Sequence, residues 1–198
     1  MQQRGRLFVI AGPSGVGKGT VVRRVLQRVP GLYLSVSVTT RPPRVGERDG
    51  VDYLFVAVEE FDRMVADGEL LEWADVFGHR YGTPAEPIRR VLATGRDALL
   101  EIDVQGARQV RERMPEAVLI LLEPPSLQEL ERRLRSRGTE TEERLGQRLA
   151  EAGRELEQRS WFDHVVANDE VEAASARVAA IIGAFPQVND HMEGPTHP

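Results

Sequence analysis

A glycine-rich loop near the start of the chain has the composition of a phosphate-binding site. Its nine residues fit the pattern G-x-x-x-x-G-K and are Gly12, Pro13, Ser14, Gly15, Val16, Gly17, Lys18, Gly19 and Thr20. Glycine permits positive φ angles and a close backbone approach, so successive N–H groups can converge on phosphate oxygens. Lys18 is the single lysine of the chain, and it would place a compact cation against the β- and γ-phosphates of a nucleotide. The alternative is a tight strand-to-helix turn that needs glycine only for packing.

Thr20 is the candidate ligand for a Mg²⁺ ion. In the usual pattern a serine or threonine follows the lysine directly, but Gly19 stands at that position in this sequence. The hydroxyl of Thr20 lies one residue later, near the expected helix start, and could reach the metal or its water shell. We therefore expect Mg²⁺ as the cofactor, with Thr20 in place of the usual hydroxyl.

Two arginines three residues apart form a second candidate anion site. Arg41 and Arg44 lie in a segment stiffened by proline and glycine, and Tyr53 follows them. Guanidinium groups bind phosphate in a bidentate manner, so this segment suits a second phosphate group. A solvated surface loop is the alternative that composition alone leaves open.

The elements around these residues predict an α/β fold. A fully apolar run at residues 7–11 ends at Gly12, which is typical of a buried parallel strand. Apolar residues then recur at three- and four-residue spacing over 18–29, which predicts a helix. Further strands are expected at 97–103, 117–122 and 162–166, with helices between them. Such an order predicts a parallel sheet covered by helices on both faces, with ligands at the carboxyl ends of the strands.

Composition narrows the function classes. The chain has 198 residues, a net charge of −5 and no cysteine, which excludes disulfides, thiolate nucleophiles and cysteine-based metal sites. No stretch approaches the roughly 18 apolar residues of a membrane span, and no secretory segment is recognised at the start. We therefore expect a cytoplasmic protein with small-molecule substrates, and neither nucleic acid nor a membrane as its partner.

Five segments taken in order resemble guanylate kinases. They are GPSGVGKGT, SVSVTTRPPRVGERDGVDY, GELLEWADVFGHRYGTP, DALLEIDVQG and RSRGTETEE, and the resemblance covers roughly residues 6–184. It implies a single domain over 1–186 with a P-loop NTPase-type parallel sheet core covered by helices, a small mixed GMP-binding lobe and a helical lid. The implied bounds are 4–33, 96–124 and 161–186 for the core, about 34–95 for the lobe and about 125–160 for the lid. Residues 187–198 are expected to be a disordered tail.

The resemblance also implies which residues bind GMP. Arg41, Arg44, Tyr53 and Tyr81 would hold the phosphate of GMP. The guanine base would be read by Ser37, Glu72, Thr83 and Asp103. The chemistry of Glu72 agrees, because an ionised carboxylate only accepts hydrogen bonds and guanine offers two adjacent donors, N1–H and N2–H₂. A surface carboxylate is the alternative for Glu72.

The remaining implied contacts concern ATP and the metal. The glycine loop, Arg133, Arg137 and Asn168 would bind ATP, with Asn168 on the adenine side. Glu101 and Asp103, two residues apart at the end of one strand, would contact the acceptor nucleotide and organise Mg²⁺ through water. The implied reaction is Mg²⁺-dependent transfer of the γ-phosphoryl group from ATP to GMP or dGMP. Its catalytic cations would be Lys18, Arg41, Arg137 and Arg148.

Three other classes compete with this interpretation. A non-catalytic guanylate-kinase-like module that binds peptides would keep the fold, but the loop with Lys18 and the lid arginines argues for catalysis. Another nucleoside monophosphate kinase would share the Gly-Lys-Gly-Thr loop, but Glu72 and the Arg41/Arg44 pair argue against it. A phosphate-loop switch or motor ATPase would need an element that couples hydrolysis to a partner, and the sequence shows no such element.

Overall fold

The computed structural model describes residues 4–76, 78–136 and 141–185, and they form two sheets with seven α-helices. A short 3₁₀-helix, Gln158–Trp161, precedes the last strand. In chain order the other elements are β1 (Leu7–Ala11), α1 (Lys18–Arg28), β2 (Tyr33–Leu34), β3 (Val38–Thr39), β4 (Leu54–Phe55), α2 (Val58–Ala66), β5 (Leu70–Val76), β6 (His79–Pro84), α3 (Ala85–Ala93), β7 (Ala98–Glu101), α4 (Val104–Arg113), β8 (Val118–Glu123), α5 (Leu127–Arg135), α6 (Glu142–Glu157), β9 (His164–Ala167) and α7 (Val171–Gly183).

The larger sheet has five parallel strands in the order β2-β7-β1-β8-β9. Every residue of the central strand β1 is buried. Successive strand side chains point to opposite faces, so Val9 packs with α3 and α4 while Phe8 packs with α1 and α7. Two apolar layers therefore enclose the sheet, and this confirms the predicted α/β core.

The smaller sheet is mixed, in the order β4-β3-β6-β5. Strands β3 and β4 are parallel, whereas β6 is antiparallel to both of its neighbours. Its core contains Val38, Phe61 and Leu70, with Phe61 supplied by α2. This sheet is the small mixed unit that the sequence predicts.

Strand β2 and helix α3 belong to the larger unit. Strand β2 pairs with β7, so it extends the parallel sheet through Leu34. Helix α3 buries Ile88 and Leu92 in the same cluster as Leu100 of the main sheet. Their apolar side chains are covered by the large sheet.

Helices α5 and α6 pack on each other through Leu130, Leu134 and Leu145. Ser126 is the N-cap of α5, because its hydroxyl accepts from the Glu129 amide at 3.1 Å. Residues 137–140, which include Arg137, lie outside the described residues, and so do residues 186–198, which include the predicted disordered tail. Over the part of the chain that the structure describes, none of the helices is long and apolar enough to cross a membrane.

Candidate active site

The glycine loop connects β1 to the start of α1. Gly17 is the residue before the helix and has a φ of 99°, in the left-handed region that disfavours side chains. A Cβ atom at this position would also lie 2.8 Å from Nδ2 of Asn168. Glycine is therefore required at this position, in the turn that precedes α1.

The loop presents donors to an anion. The loop leads directly into the N-terminus of α1, where the first backbone amides of a helix have no partner inside it. The ammonium group of Lys18 donates to the carbonyl oxygens of Gly12 at 2.5 Å and Pro13 at 3.3 Å, and thus lies against the loop. Converging amides, a helix N-terminus and a cation are the components of a phosphate site.

Two residues distant in the chain hold the loop through one carbonyl group. Nδ2 of Asn168 donates to the Val16 carbonyl at 2.7 Å, and Nη1 of Arg133 donates to the same oxygen at 3.3 Å. Arg133 also donates from Nη2 to the Asn168 carbonyl at 3.0 Å. Asn168 is only 2% exposed, so the structure places it behind the loop as a support. The contact of Asn168 with adenine, which the resemblance implies, stays a prediction.

A cleft between the two sheets collects seven of the residues singled out in the sequence. Their side chains come from the phosphate loop helix, the mixed sheet and the carboxyl end of β7. The lining comprises Lys18, Ser37, Tyr53, Glu72, Tyr81, Glu101 and Asp103, together with Ala74, Val76 and Ile102.

Glu72 is the buried acid of this cleft. It lies on β5 opposite Thr83 of β6, whose hydroxyl donates to Oε1 at 2.6 Å. Burial raises the pKa of Glu72 to about 7, and the charge of Asp103 acts in the same direction. The Thr83 hydrogen bond and the charge of Arg113 partly oppose this rise in pKa. The Glu72 carboxyl group is thus buried where two hydrogen-bond donors of a ligand would stabilise its ionised form.

Arg41 is held by a partner that the sequence analysis did not single out. Its guanidinium donates to both carboxylate oxygens of Glu47 at 2.9 Å, and Nε donates to the hydroxyl of Tyr81 at 3.1 Å. Arg41 lowers the pKa of Glu47 through this hydrogen bond, although desolvation opposes the effect. Arg44 is exposed, and its amide donates to Glu47 at 2.7 Å. The sequence signal for Glu47 is its place as the first acid after the two arginines, in a loop stiffened by proline and glycine.

The sequence predicts Glu101 and Asp103 on one strand, but in the structure only Glu101 belongs to it. Glu101 ends β7, but Asp103 is the N-cap of α4, and its Oδ1 accepts from the Gly106 amide at 2.6 Å. The chain leaves the strand because this carboxylate satisfies a helix amide that has no intrahelical partner. Both acids still reach the cleft.

The donors near the loop fit a Mg²⁺ ion bound together with phosphates. Oε1 of Glu101 lies 3.3 Å from the point where a Cβ on Gly19 would stand, so this carboxylate is close to the loop. Burial raises the pKa of Glu101, whereas Lys18 and Arg23 lower it. Mg²⁺ is usually held by one or two carboxylates, water and substrate phosphates. Thr20 is exposed, and its hydroxyl accepts from Arg23 at 3.4 Å; its role as a metal ligand stays a prediction.

Several residues implied by the resemblance are not part of this lining, among them Arg41 and Thr83, which donate hydrogen bonds to the lining residues Tyr81 and Glu72. Arg44 and Arg148 are not among the lining residues, and Arg148 lies on α6. Arg137 belongs to the segment outside the described residues. The roles of Arg44, Arg137 and Arg148, like those of the other residues implied by the resemblance, stay predictions.

A phosphate loop at the carboxyl edge of a parallel sheet, facing a second sheet with a buried acid, defines an α/β P-loop enzyme that handles nucleotides. The guanylate kinase family model matches residues 4–185. The chain is 56% identical over 170 residues to a guanylate kinase of Thermosynechococcus vestitus, covering 86% of this chain and 89% of that protein. It is 55% identical over 179 residues to that of Thermobifida fusca, covering 90% of this chain and 91% of that protein.

A solved structure agrees with these relatives. The crystal structure of guanylate kinase from Anaplasma phagocytophilum superposes with a TM-score of 0.76 at 34% identity, covering 96% of this chain and 90% of that chain. The chain belongs to the guanylate kinase family. It is a nucleoside monophosphate kinase that transfers a phosphoryl group from ATP to GMP, and its bacterial relatives favour this catalytic function over a peptide-binding module.

Proposed function

We propose that the cleft between the two sheets is where the phosphoryl group passes from ATP to GMP or dGMP, and that Glu72 selects guanine. The observation that carries this proposal is the buried Glu72 carboxyl group, 3% exposed, in the same cleft as Lys18 of the phosphate loop. A buried acid beside a phosphate site suits a nucleotide whose base carries hydrogen-bond donors.

Guanine is selected by the direction of its hydrogen bonds. The ionised Glu72 accepts from N1–H and N2–H₂ of guanine, whereas adenine would present an acceptor lone pair to the same carboxylate. Ser37 lines the same cleft, and its hydroxyl would donate to guanine O6. Thr83 keeps Oε1 of Glu72 in place, and Asp103 adds a second acceptor. Sites built in this way reject the wrong base by on the order of 10⁴-fold.

The phosphate of GMP binds to Arg41, Tyr53 and Tyr81. Tyr81 is joined to Arg41 by a hydrogen bond, and the Tyr53 ring lies 5.4 Å from the Arg41 guanidinium carbon. Glu47 orients Arg41 through a bidentate pair. Arg44 is close along the chain and adds its charge from the solvent side.

ATP binds with its phosphates on the loop of residues 12–20. Lys18 and the amides of the loop stabilise the charge that develops on the transferred group, and the accepting oxygen of GMP is already anionic, so no general base is required. Arg133 and Asn168 keep the loop in shape. Arg137 and Arg148 would add positive charge from the lid of about 125–160.

Mg²⁺ supplies charge neutralisation between the phosphates of ATP when it is bound. Glu101 would hold it, directly or through water, and Thr20 is the second candidate. We further propose that the chain works as a core, a GMP-binding lobe and a lid, in the cytoplasm where both nucleotides are found.

The proposal is tested by ADP formation from ATP and Mg²⁺ with GMP, dGMP, AMP, CMP and UMP as separate acceptors. We expect turnover with GMP and dGMP alone, and loss of that selectivity in Glu72→Gln. Equal use of AMP by the unmodified protein, or unchanged selectivity in Glu72→Gln, would remove Glu72 from base selection.

A further inference from the structure

Strand β5, which carries Glu72, is an edge strand whose outer side is bound by side chains of α4. An edge strand presents unpaired backbone groups. Gln109 of α4 satisfies two of them at one residue, because its Nε2 donates to the Trp73 carbonyl at 2.6 Å and its Oε1 accepts from the Trp73 amide at 3.2 Å. The amide side chain thus pairs with the residue next to Glu72 as a neighbouring strand would.

One helical turn after Gln109, a second side chain on the same face of α4 also binds the backbone of β5. Nη1 of Arg113 donates to the carbonyl of Leu70 at 3.0 Å and also to the carbonyl of Leu71. Gln109 and Arg113 are four residues apart, so they lie above one another on the helix. Four hydrogen bonds therefore fix the backbone of β5 on both sides of Glu72.

One turn before Gln109, the helix touches the Glu72 carboxyl group. A Cβ atom on Gly106 would stand 2.4 Å from Oε2 of Glu72. The amide of Gly106 meanwhile donates to Asp103, the other acid proposed to read guanine. A single helical residue without a side chain is thus in contact with both acids.

We propose that Gly106 and Gln109 are positioning residues of the guanine site: they set where the Glu72 carboxylate lies and thereby set affinity and selectivity for GMP, without contacting the nucleotide. The inference rests on the proposed role of Glu72. Helix α4 also packs against β1 and β8 of the main sheet, so the selecting acid takes its position from the core and not only from the mixed sheet. A displacement of about 1 Å in such a group can cost on the order of 100-fold.

The test measures KM for GMP, KM for ATP and kcat in Gln109→Ala and Gly106→Ala. We expect KM for GMP to rise about tenfold or more, the preference for GMP over AMP to fall, and KM for ATP to stay unchanged. Gln105→Ala is the matched control, because Gln105 lies on the same helix and is exposed. Gly183→Ala is the control for Gly106, since a Cβ there has no atom within 4 Å.

A double-mutant cycle separates positioning from general damage. If Gln109 acts through Glu72, adding Gln109→Ala to Glu72→Gln should raise KM for GMP little further. Additive effects, an equal rise in KM for ATP, or unchanged GMP kinetics in both single variants would overturn the inference. If Glu72→Gln itself leaves GMP kinetics unchanged, the proposed role of Glu72 fails first and this inference falls with it.

Discussion

The Thr83 hydroxyl donates a 2.6 Å hydrogen bond to Glu72 where the two strands of the mixed sheet place these residues opposite each other. This bond occupies one oxygen of a carboxyl group that is almost fully buried. The second oxygen lies over Gly106. The carboxyl group is therefore restrained at both oxygens before any nucleotide binds.

Replacing Glu72 by glutamine should impair GMP use specifically. The amide keeps the size of the side chain but turns one acceptor into a donor, which would face a donor of guanine. We expect kcat/KM for GMP to fall on the order of 100-fold, as for a lost charge-assisted hydrogen bond of about 3 kcal/mol, while KM for ATP is retained. Steady-state kinetics with both substrates check this.

Glu69→Gln is the control for that substitution. Glu69 lies just before the same strand and is exposed, with a 2.8 Å ion pair to Arg63. Exposed pairs contribute little, so its kinetics should match those of the unmodified enzyme. A similar loss of GMP use in both variants would point to general damage of the mixed sheet.

GMP affinity should depend on pH near neutrality. Burial raises the pKa of Glu72 to about 7, so the carboxyl group becomes protonated as the pH falls below that value and loses an acceptor. KM for GMP should therefore rise as the pH drops from about 8 to 6, and GMP binding should release protons. A phosphate monoester also titrates near pH 6, and Glu72→Gln should show only that remaining dependence. The same pH profile in both proteins would contradict the assignment.

Arg41→Lys should weaken the binding of GMP although it keeps the charge. Lysine cannot form the bidentate pair with Glu47 while also reaching Tyr81. We expect kcat/KM for GMP to fall by about 10- to 100-fold. Arg48→Lys, at an exposed position in the same segment, should leave the kinetics unchanged. Full activity of Arg41→Lys would mean that a point charge suffices for the phosphate.

Lys18→Ala should abolish turnover and preserve the fold. Its hydrogen bonds to Gly12 and Pro13 are local, and losing them should cost about 1 kcal/mol of unfolding free energy. Loss of the cation beside the transferring group should lower kcat on the order of 10³-fold. Arg24→Ala removes an exposed cation of the same helix and serves as the control in kinetics and thermal unfolding. Near-normal turnover of Lys18→Ala would exclude it from the mechanism.

Asn168→Asp should weaken ATP binding through the loop and not through adenine. A carboxylate at this position would face the Val16 carbonyl, to which the amide now donates, so the loop should loosen. KM should rise about tenfold for ATP and equally for GTP offered as the phosphoryl donor. A rise in KM for ATP alone would instead support a contact between Asn168 and adenine. Asp169→Asn, at the exposed neighbouring position, is the control.

The sequence predicts the core better than the mixed sheet, for physical reasons. Strand β1 is apolar on both faces and its loop is glycine-rich, so its pattern and its neighbours agree. Strand β6 begins with His79, Arg80 and Tyr81, of which Tyr81 lines the cleft, and this polar run lacks the alternating apolar pattern that predicts a strand. Gln109 was missed because its role depends on a helix and a strand that meet only in the folded protein.

The pairing of β1 also decides when the phosphate loop acquires its shape. Leu7 pairs with Ala98, and Phe8 pairs with Val118, about ninety and 110 residues further along the chain. Contacts of such high sequence separation form late, because a long segment must be closed before they contribute. During synthesis the loop emerges well before β7 and β8, the strands that pair with β1. Nucleotide binding should therefore appear only once most of the chain has been made, and a short N-terminal fragment should be unable to hold ATP.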